Sequence, residues 1–222
     1  MKKTIGLLAA GLTALSLNAA NDAVKRLDSA ATALQEVMSA PDKGIPQDLF
    51  GKAACAIIVP GLKKGAFIVG GKFGRGFMMC RKEGGAWSAP AGVKIEGGSF
   101  GLQLGGSSTD VVLLLMNQGG RDKLLESKFT LGADGSAAIG PVGRSSSAAT
   151  DAQMHAEILS WSRSRGAFAG LSLEGATLRP DEDSNRDLYR KPVTNREIVT
   201  GSVEPPAAAA KLIEELNRYP SR

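Results

Sequence analysis

The sequence predicts an α+β domain: a mainly antiparallel, glycine-rich sheet, barrel- or sandwich-like, with an amphipathic helix near each end. Three observations lead there. Helical periodicity is confined to the ends of the chain. Between them lie many short apolar runs punctuated by Gly and Pro, the pattern of short strands and tight turns. Those runs do not alternate with full-length helices, so a doubly wound parallel sheet is disfavoured. The 28 glycines of the 222 residues show no three-residue period, which excludes collagen, and with aromatics at 5% the core must be aliphatic.

Val24, Leu27, Ala31, Leu34 and Met38 recur at helical spacing, so Asn21–Met38 is predicted as an amphipathic helix ended by Pro41 and Gly44. Gln47–Lys52 suits a short second helix. Ala54–Val59 is an apolar run closed by Pro60-Gly61, a buried strand, and Ala66–Val69 is read as another. Phe77–Arg81 and Trp87–Ala89 flank Gly84-Gly85, a hairpin signal. Ser99–Leu104 alternates, with Phe100, Leu102 and Leu104 on one side; Val111–Met116 is continuous enough for a central strand. Arg121–Ser127 suits helical turns. Phe129–Leu131 and Ser136–Ile139 bracket Gly132–Gly135 as a second hairpin. Ser145–Thr150 reads as a loop. Ile158–Arg163 and Ala167–Leu173 are strand-like around Arg165-Gly166, Asp181–Arg190 is a charged short helix, and Pro205-Pro206 open a last helix with Ala209, Ile213 and Leu216 on one face.

Residues 1–20 have the make-up of an export signal. Lys2 and Lys3 are its positive start, Ile5–Leu17 its uncharged apolar run, and the small residues ending at Ala19 or Ala20 its cleavage site. The run is short for a membrane span, and no Cys follows it to accept a lipid. The expected product is one domain, residues 21–222 with its core at 55–201, exported to a periplasmic or envelope location. The formal charge of +5 falls to +3 without Lys2 and Lys3, which gives little support to nucleic-acid binding.

Enzymatic chemistry is thinly supplied. Gly70–Gly76 (GGKFGRG) is the densest glycine cluster, but a strand-like run follows it where a nucleotide loop needs a helix. It is read as a glycine-rich strand connection. His155 is the only histidine, and with Cys55 and Cys80 it makes no zinc spacing; no Ser sits in a Gly-x-Ser-x-Gly elbow. Asp181, Glu182 and Asp183 lack calcium-loop spacing and read as a solvated run. No cofactor, no metal and no catalytic residue is expected. Cys55 and Cys80 can form one bridge between neighbouring strands in an oxidising compartment, or pack as two buried thiols.

Basic residues remain: Lys63 and Lys64 before one apolar run, Lys72 and Arg75 among glycines, Arg163 and Arg165 at a hairpin tip. Lys or Arg beside open glycine backbone can hold a phosphate. These six are the candidate anion-binding residues.

The chain also resembles a known family. AIIVPGLKK (Ala56–Lys64), GGKFGRG (Gly70–Gly76), WSAP (Trp87–Pro90), SFGLQLG (Ser99–Gly105), GPVGR (Gly140–Arg144), SWSRSRGAFAGLSLEG (Ser160–Gly175), Tyr189 and EIVTG (Glu197–Gly201) follow in the order of the SYLF domain. Leu102 stands where the family often has an aromatic, and Trp161 where a Tyr is common. The resemblance implies a non-enzymatic module that binds anionic phospholipid headgroups, phosphoinositides in eukaryotic members. It implies an amphipathic segment that assists at the membrane, here Asn21–Met38, and actin association in some eukaryotic relatives. The expected partner is an anionic membrane surface. The alternative is a structural or envelope-maintenance protein that binds another protein through its sheet.

Overall fold

The computed structural model describes residues 6–40, 44–66, 69–100, 105–126, 128–141, 155–164, 167–168, 173–201 and 203–221. In chain order, helices α1 (Gly6–Met38) and α2 (Gln47–Lys52) precede strands β1 (Cys55–Ala66), β2 (Val69–Cys80), β3 (Ala91–Phe100) and β4 (Gly105–Leu115). Helix α3 (Gln118–Leu124) leads to β5 (Phe129–Thr130), β6 (Ala137–Ile139), β7 (Ile158–Ser164), β8 (Ala167–Phe168) and β9 (Thr177–Pro180). Then come α4 (Glu182–Tyr189), α5 (Asn195–Val199), and a 3₁₀ turn at Ala207–Ala209 running into α6 (Ala210–Asn217). The fold is α+β, as expected.

The strands form one sheet in the order β5-β9-β3-β2-β1-β4-β7-β6, with β8 beside β7. Every pairing is antiparallel except β6 with β7. The topology itself forces the sheet to curl. β5 and β6 lie at opposite ends of the strand path, yet only residues 131–136 join them. Eight flat strands would separate the two edges by about 34 Å. The connecting chain reaches about 25 Å at most, even fully stretched. The sheet therefore bends into a half-barrel. Leu131, after β5, and Leu113, on β4, consequently line one crevice with Ile158.

Both faces of the sheet are buried. The convex face packs under α1 and α6: Leu27, Leu34 and Val37 of α1 meet Ala56, Ile58, Phe77, Met79, Val112 and Trp161. The interior holds Cys55, Ile57, Val59, Leu62, Met78, Ile95, Val111, Leu113, Phe129 and Leu178, and Ile198 and Val199 of α5 pack into it. This is why Ala54–Val59 and Val111–Met116 read as continuous apolar runs rather than alternating ones.

Several sequence expectations are corrected. β1 does not stop at Pro60-Gly61. It bulges there, with register shifts between Ile58 and Lys63 and Gly61 at φ 60°, and continues to Ala66. Of the run Ala66–Val69, Ala66 ends β1 and Val69 begins β2, and the two residues between them lie outside the described residues. Gly70–Gly76 is not a connection but the first half of β2. The bulge explains the glycines: a Cβ at Gly76 would lie 2.0 Å from the Ile58 carbonyl oxygen, and one at Gly74 2.7 Å from Val59 Cγ1. The segments around Gly132–Gly135 are not a hairpin, since β5 pairs with β9 and β6 with β7. β3 ends at Phe100, so Leu102 and Leu104 lie outside the described residues, as do Ser145–Thr150 and most of Ala167–Leu173. The helix read as Asn21–Met38 is the C-terminal part of the longer α1.

Candidate functional site

The bulge also decides where the basic residues point. Side chains alternate along a strand, and Leu62 lies in the interior. Lys64, two residues on, therefore shares the interior face, whereas Lys63 lies on the convex face. In β2 the same alternation from Met78 puts Lys72 inside; Phe73 and Arg75 share the convex side with Phe77. The register agrees: Lys64 is the direct partner of Lys72, and Lys63 of Phe73. The four residues read as one cluster are thus divided between two faces.

On the convex face, Lys63 is exposed and Phe73 is 48% exposed, unusual for an aromatic in a strand. Glu96 is the other cross-strand partner of Phe73, and it takes ion pairs from Lys94 (4.0 Å) and Arg179 (3.6 Å). Arg75 is engaged. Its Nε lies 3.3 Å from Oδ2 of Asp181, an ion pair outside hydrogen-bonding geometry. Asp181 is buried and accepts a hydrogen bond from Ser184 Oγ (2.7 Å), which in turn accepts one from the Arg26 guanidinium of α1 (3.1 Å). Burial first, and the charge of Arg75 second, lower the pKa of Arg26; Asp181 opposes them. Asp181 was read as part of a solvated run. Glu182 and Asp183 are solvated, but Asp181 anchors α1 and α4 to the sheet.

Arg163 is engaged as well. It lies near the end of β7, opposite Phe168 of β8 in the hairpin expected from the sequence, and its side chain pairs with Glu36 of α1. Arg165 lies outside the described residues. Between α1 and the bulge runs a groove of about 550 Å³ lined by Lys25, Asp28, Thr32, Glu36, Gly61 and Asp110 among others. Asp110 accepts the Gly61 N–H (2.8 Å), so part of its polarity holds the bulge in shape.

On the interior face, Lys72 is 9% exposed and Lys64 half-buried. Burial first, then the neighbouring Lys64, lower the pKa of Lys72. Opposed like charges at direct cross-strand positions disfavour the folded state. Cys55 and Cys80, direct partners at the far end of the same two strands, form a disulfide. Neither the Lys64–Lys72 pairing nor the buried role of Asp181 was read from the sequence. Gly61 held the relevant signal, since a bulge there reverses the parity of every later position in β1.

His155 is exposed, and no group of His, Cys, Asp and Glu among the described residues could hold a metal ion. No helix among them is long and apolar enough to cross a membrane.

Comparison with known proteins decides the family. The model of the Ysc84 family, described as Las17-binding protein actin regulator, matches residues 96–219. The chain belongs to the Ysc84, or SYLF, family. An SH3 domain-containing protein of Schizosaccharomyces pombe is 37% identical over 176 residues, 78% of this chain and 41% of the relative. The SH3 domain-containing YSC84-like protein 1 of Rattus norvegicus is 33% identical over 184 residues, 81% and 53%. LAS seventeen-binding protein 3 of Saccharomyces cerevisiae is 34% identical over 178 residues, 79% and 39%. The chain thus spans about half or less of the curated relatives it matches. As a Ysc84-family domain it belongs to a group described by protein binding and actin regulation rather than by a reaction.

Proposed function

We propose that this Ysc84-family domain is a non-enzymatic module that binds anionic phospholipid headgroups at an envelope membrane after export. The observation that carries the reading is the Lys63–Phe73 pair: an exposed cation beside an exposed aromatic on a strand surface. Such a pair suits an anionic interface, where the ring enters the headgroup layer and the cation meets phosphate. The ion pairs of Arg75 and Arg163 favour Lys63, Lys64 and Lys72 as the lipid-facing cations, with Arg165 a candidate outside the described residues.

Export rests on the signal-like residues 1–20. Cleavage near Ala20 would leave the packed stretch Ala23–Met38 of α1 whole. The buried disulfide suits an oxidising compartment.

The reading is tested by co-sedimentation of residues 21–222 with vesicles of phosphatidylglycerol and phosphatidylcholine against vesicles of phosphatidylcholine alone. Binding to the anionic vesicles that weakens with salt is expected. Equal recovery with both vesicle types would overturn it. The family description favours a second reading, a protein partner; failure on every vesicle, with a folded chain, would move the case to it.

A further inference from the structure

Where α1 crosses the bulge of β1, the helix and the sheet do not close on each other. Ser29 and Ala33 of α1 are too small to fill the space, and a groove of about 550 Å³ is left over Pro60, Gly61 and Asp110. It is bridged at both ends. Arg26 donates to Ser184 Oγ of α4 at 3.1 Å, and Glu36 pairs with Arg163 of β7. The helix rises about 15 Å between these two ties. Neither Lys63 nor Phe73 lines the groove.

Its polar atoms are already partly committed, and that selects the ligand. Ser29 gives its hydroxyl proton to the Lys25 carbonyl oxygen (2.9 Å), so it offers a ligand only lone pairs. Asp110 accepts the Gly61 N–H through Oδ1 (2.8 Å) and keeps Oδ2 as an acceptor. Lys25 adds an exposed ammonium donor. Lys25, Arg26 and Arg163 stand against Asp28, Glu36 and Asp110, so the groove draws in neither an anion nor a cation strongly. Acceptors and a donor side by side, with charge in balance, suit groups that each donate and accept, and the hydroxyl is such a group. Pro60 and Ala33 give the small apolar surface on which the C–H face of a sugar ring can lie. We infer that the groove between α1 and the β1 bulge binds a neutral oligosaccharide, with Ser29 Oγ and Asp110 Oδ2 accepting from its hydroxyls and Lys25 donating to them. Its volume falls within the usual range of small-molecule sites, about 300–1,000 Å³. The site is separate from the Lys63–Phe73 surface and does not rest on the lipid reading.

The test uses residues 21–222, with triacetylchitotriose and maltotriose as probes. Titrated into the wild type, at least one of them should give saturable shifts of the Ser29, Gly61 and Asp110 amide resonances, with those of Lys63 and Phe73 unmoved. The affinity should be the same at low and high salt, unlike vesicle binding, because the ligand is uncharged. Asp110→Asn keeps an oxygen for the Gly61 N–H and turns the free acceptor into a donor. It should weaken sugar binding about tenfold, the loss of one hydrogen bond to a charged group. Ser29→Trp fills the groove from an exposed position, so it should abolish binding with the melting temperature almost unchanged. This variant decides the matter if Asp110→Asn disturbs the bulge. Lys63→Gln/Phe73→Ser should keep the wild-type affinity for the sugar. Shifts that persist in Ser29→Trp, or no saturable shift in the wild type with either sugar, overturn the inference. Hexalysine moving the same amides where neither sugar does also overturns it, and gives the groove to a basic protein segment. Vesicle binding by these variants bears on the lipid reading alone.

Discussion

Gly140 lies so close to the indole of Trp161 that a Cβ there would sit 2.1 Å from Cζ2 of the ring. The carbonyl of the next residue, Pro141, accepts the Trp161 Nε1–H at 2.9 Å. The chain leaving β6 is therefore held against one buried tryptophan at two consecutive residues. In Gly140→Ala the added methyl has no rotamer of its own, and the ring it meets is buried and held by its hydrogen bond to Pro141. The substitution should destabilise the domain by about 3 kcal/mol, the upper range for overpacking. Urea unfolding of the variant checks it, and a change below about 0.5 kcal/mol would show that the contact yields.

How far the sequence could be read follows from the same kind of contact. Periodicity exposed the packed part of α1, α2 and α6, since helix faces are written at fixed spacing in the chain. The strand runs of β1, β4 and β7 were legible because both of their faces are buried. What escaped was pairing between distant segments. Gly74 and Gly76 look like loop residues until Ile58 and Val59 are placed beside them. β6 looks like a hairpin partner of β5 until the curl of the sheet brings it parallel to β7. Of the site, the residue types were visible, but the face each occupies turned on one bulge at Gly61, and the engagement of Arg75 and Arg163 turned on acids far away in the sequence, Asp181 and Glu36.

The disulfide closes a loop with a sequence separation of 25, which on the chain-entropy account stabilises by about 3 kcal/mol. The unreduced chain should weigh two protons less than the reduced one, and reduction should lower its urea midpoint accordingly. Two thiols that alkylate freely in the unfolded, unreduced protein would refute the bridge.

Leu27 and Leu34 are almost wholly buried between α1 and the sheet. Truncating either to Ala should destabilise by about 2–5 kcal/mol, as in other cores. Vesicle binding by the folded fraction should change little, because the apolar face of α1 is occupied by the domain. A variant that keeps its melting temperature but stops binding vesicles would mean that α1 leaves the sheet to meet the membrane.

Tyr189 donates its hydroxyl proton to the Pro90 carbonyl oxygen at 2.7 Å, and burial raises its pKa well above the ordinary value of 10.0. Its contribution is therefore complete below about pH 10 and declines above it, because the unfolded chain releases the proton while the folded one retains it. Stability should fall with rising pH in that range. Lys72, whose pKa is lowered, acts with the opposite sign there, so the comparison must be made between variants. Tyr189→Phe should be less stable at neutral pH yet show a shallower alkaline decline; identical slopes for both proteins would remove Tyr189 as the cause.

Neutralising the basic residues one at a time should separate anchoring from lipid contact. Arg75 and Arg163 hold Asp181 and Glu36, and Asp181 is 1% exposed, so Arg75→Gln strands a buried carboxylate. Removing one partner of a buried pair costs about 3–5 kcal/mol, although the half-exposed Arg75 places this case at the lower end. Arg163→Gln leaves Glu36 partly exposed to water and should cost less. Both variants should retain vesicle affinity if they remain folded. Lys63→Gln should do the reverse: almost no change in stability, and a loss of about 1 kcal/mol in binding, or roughly fivefold, since each cation at an anionic surface contributes about that much. The difference should shrink as salt rises, because screening at about 10 Å in 0.1 M salt shortens the reach of an exposed charge. A Lys63→Gln domain that binds anionic vesicles as well as the wild type at low salt would take the convex face out of the lipid reading.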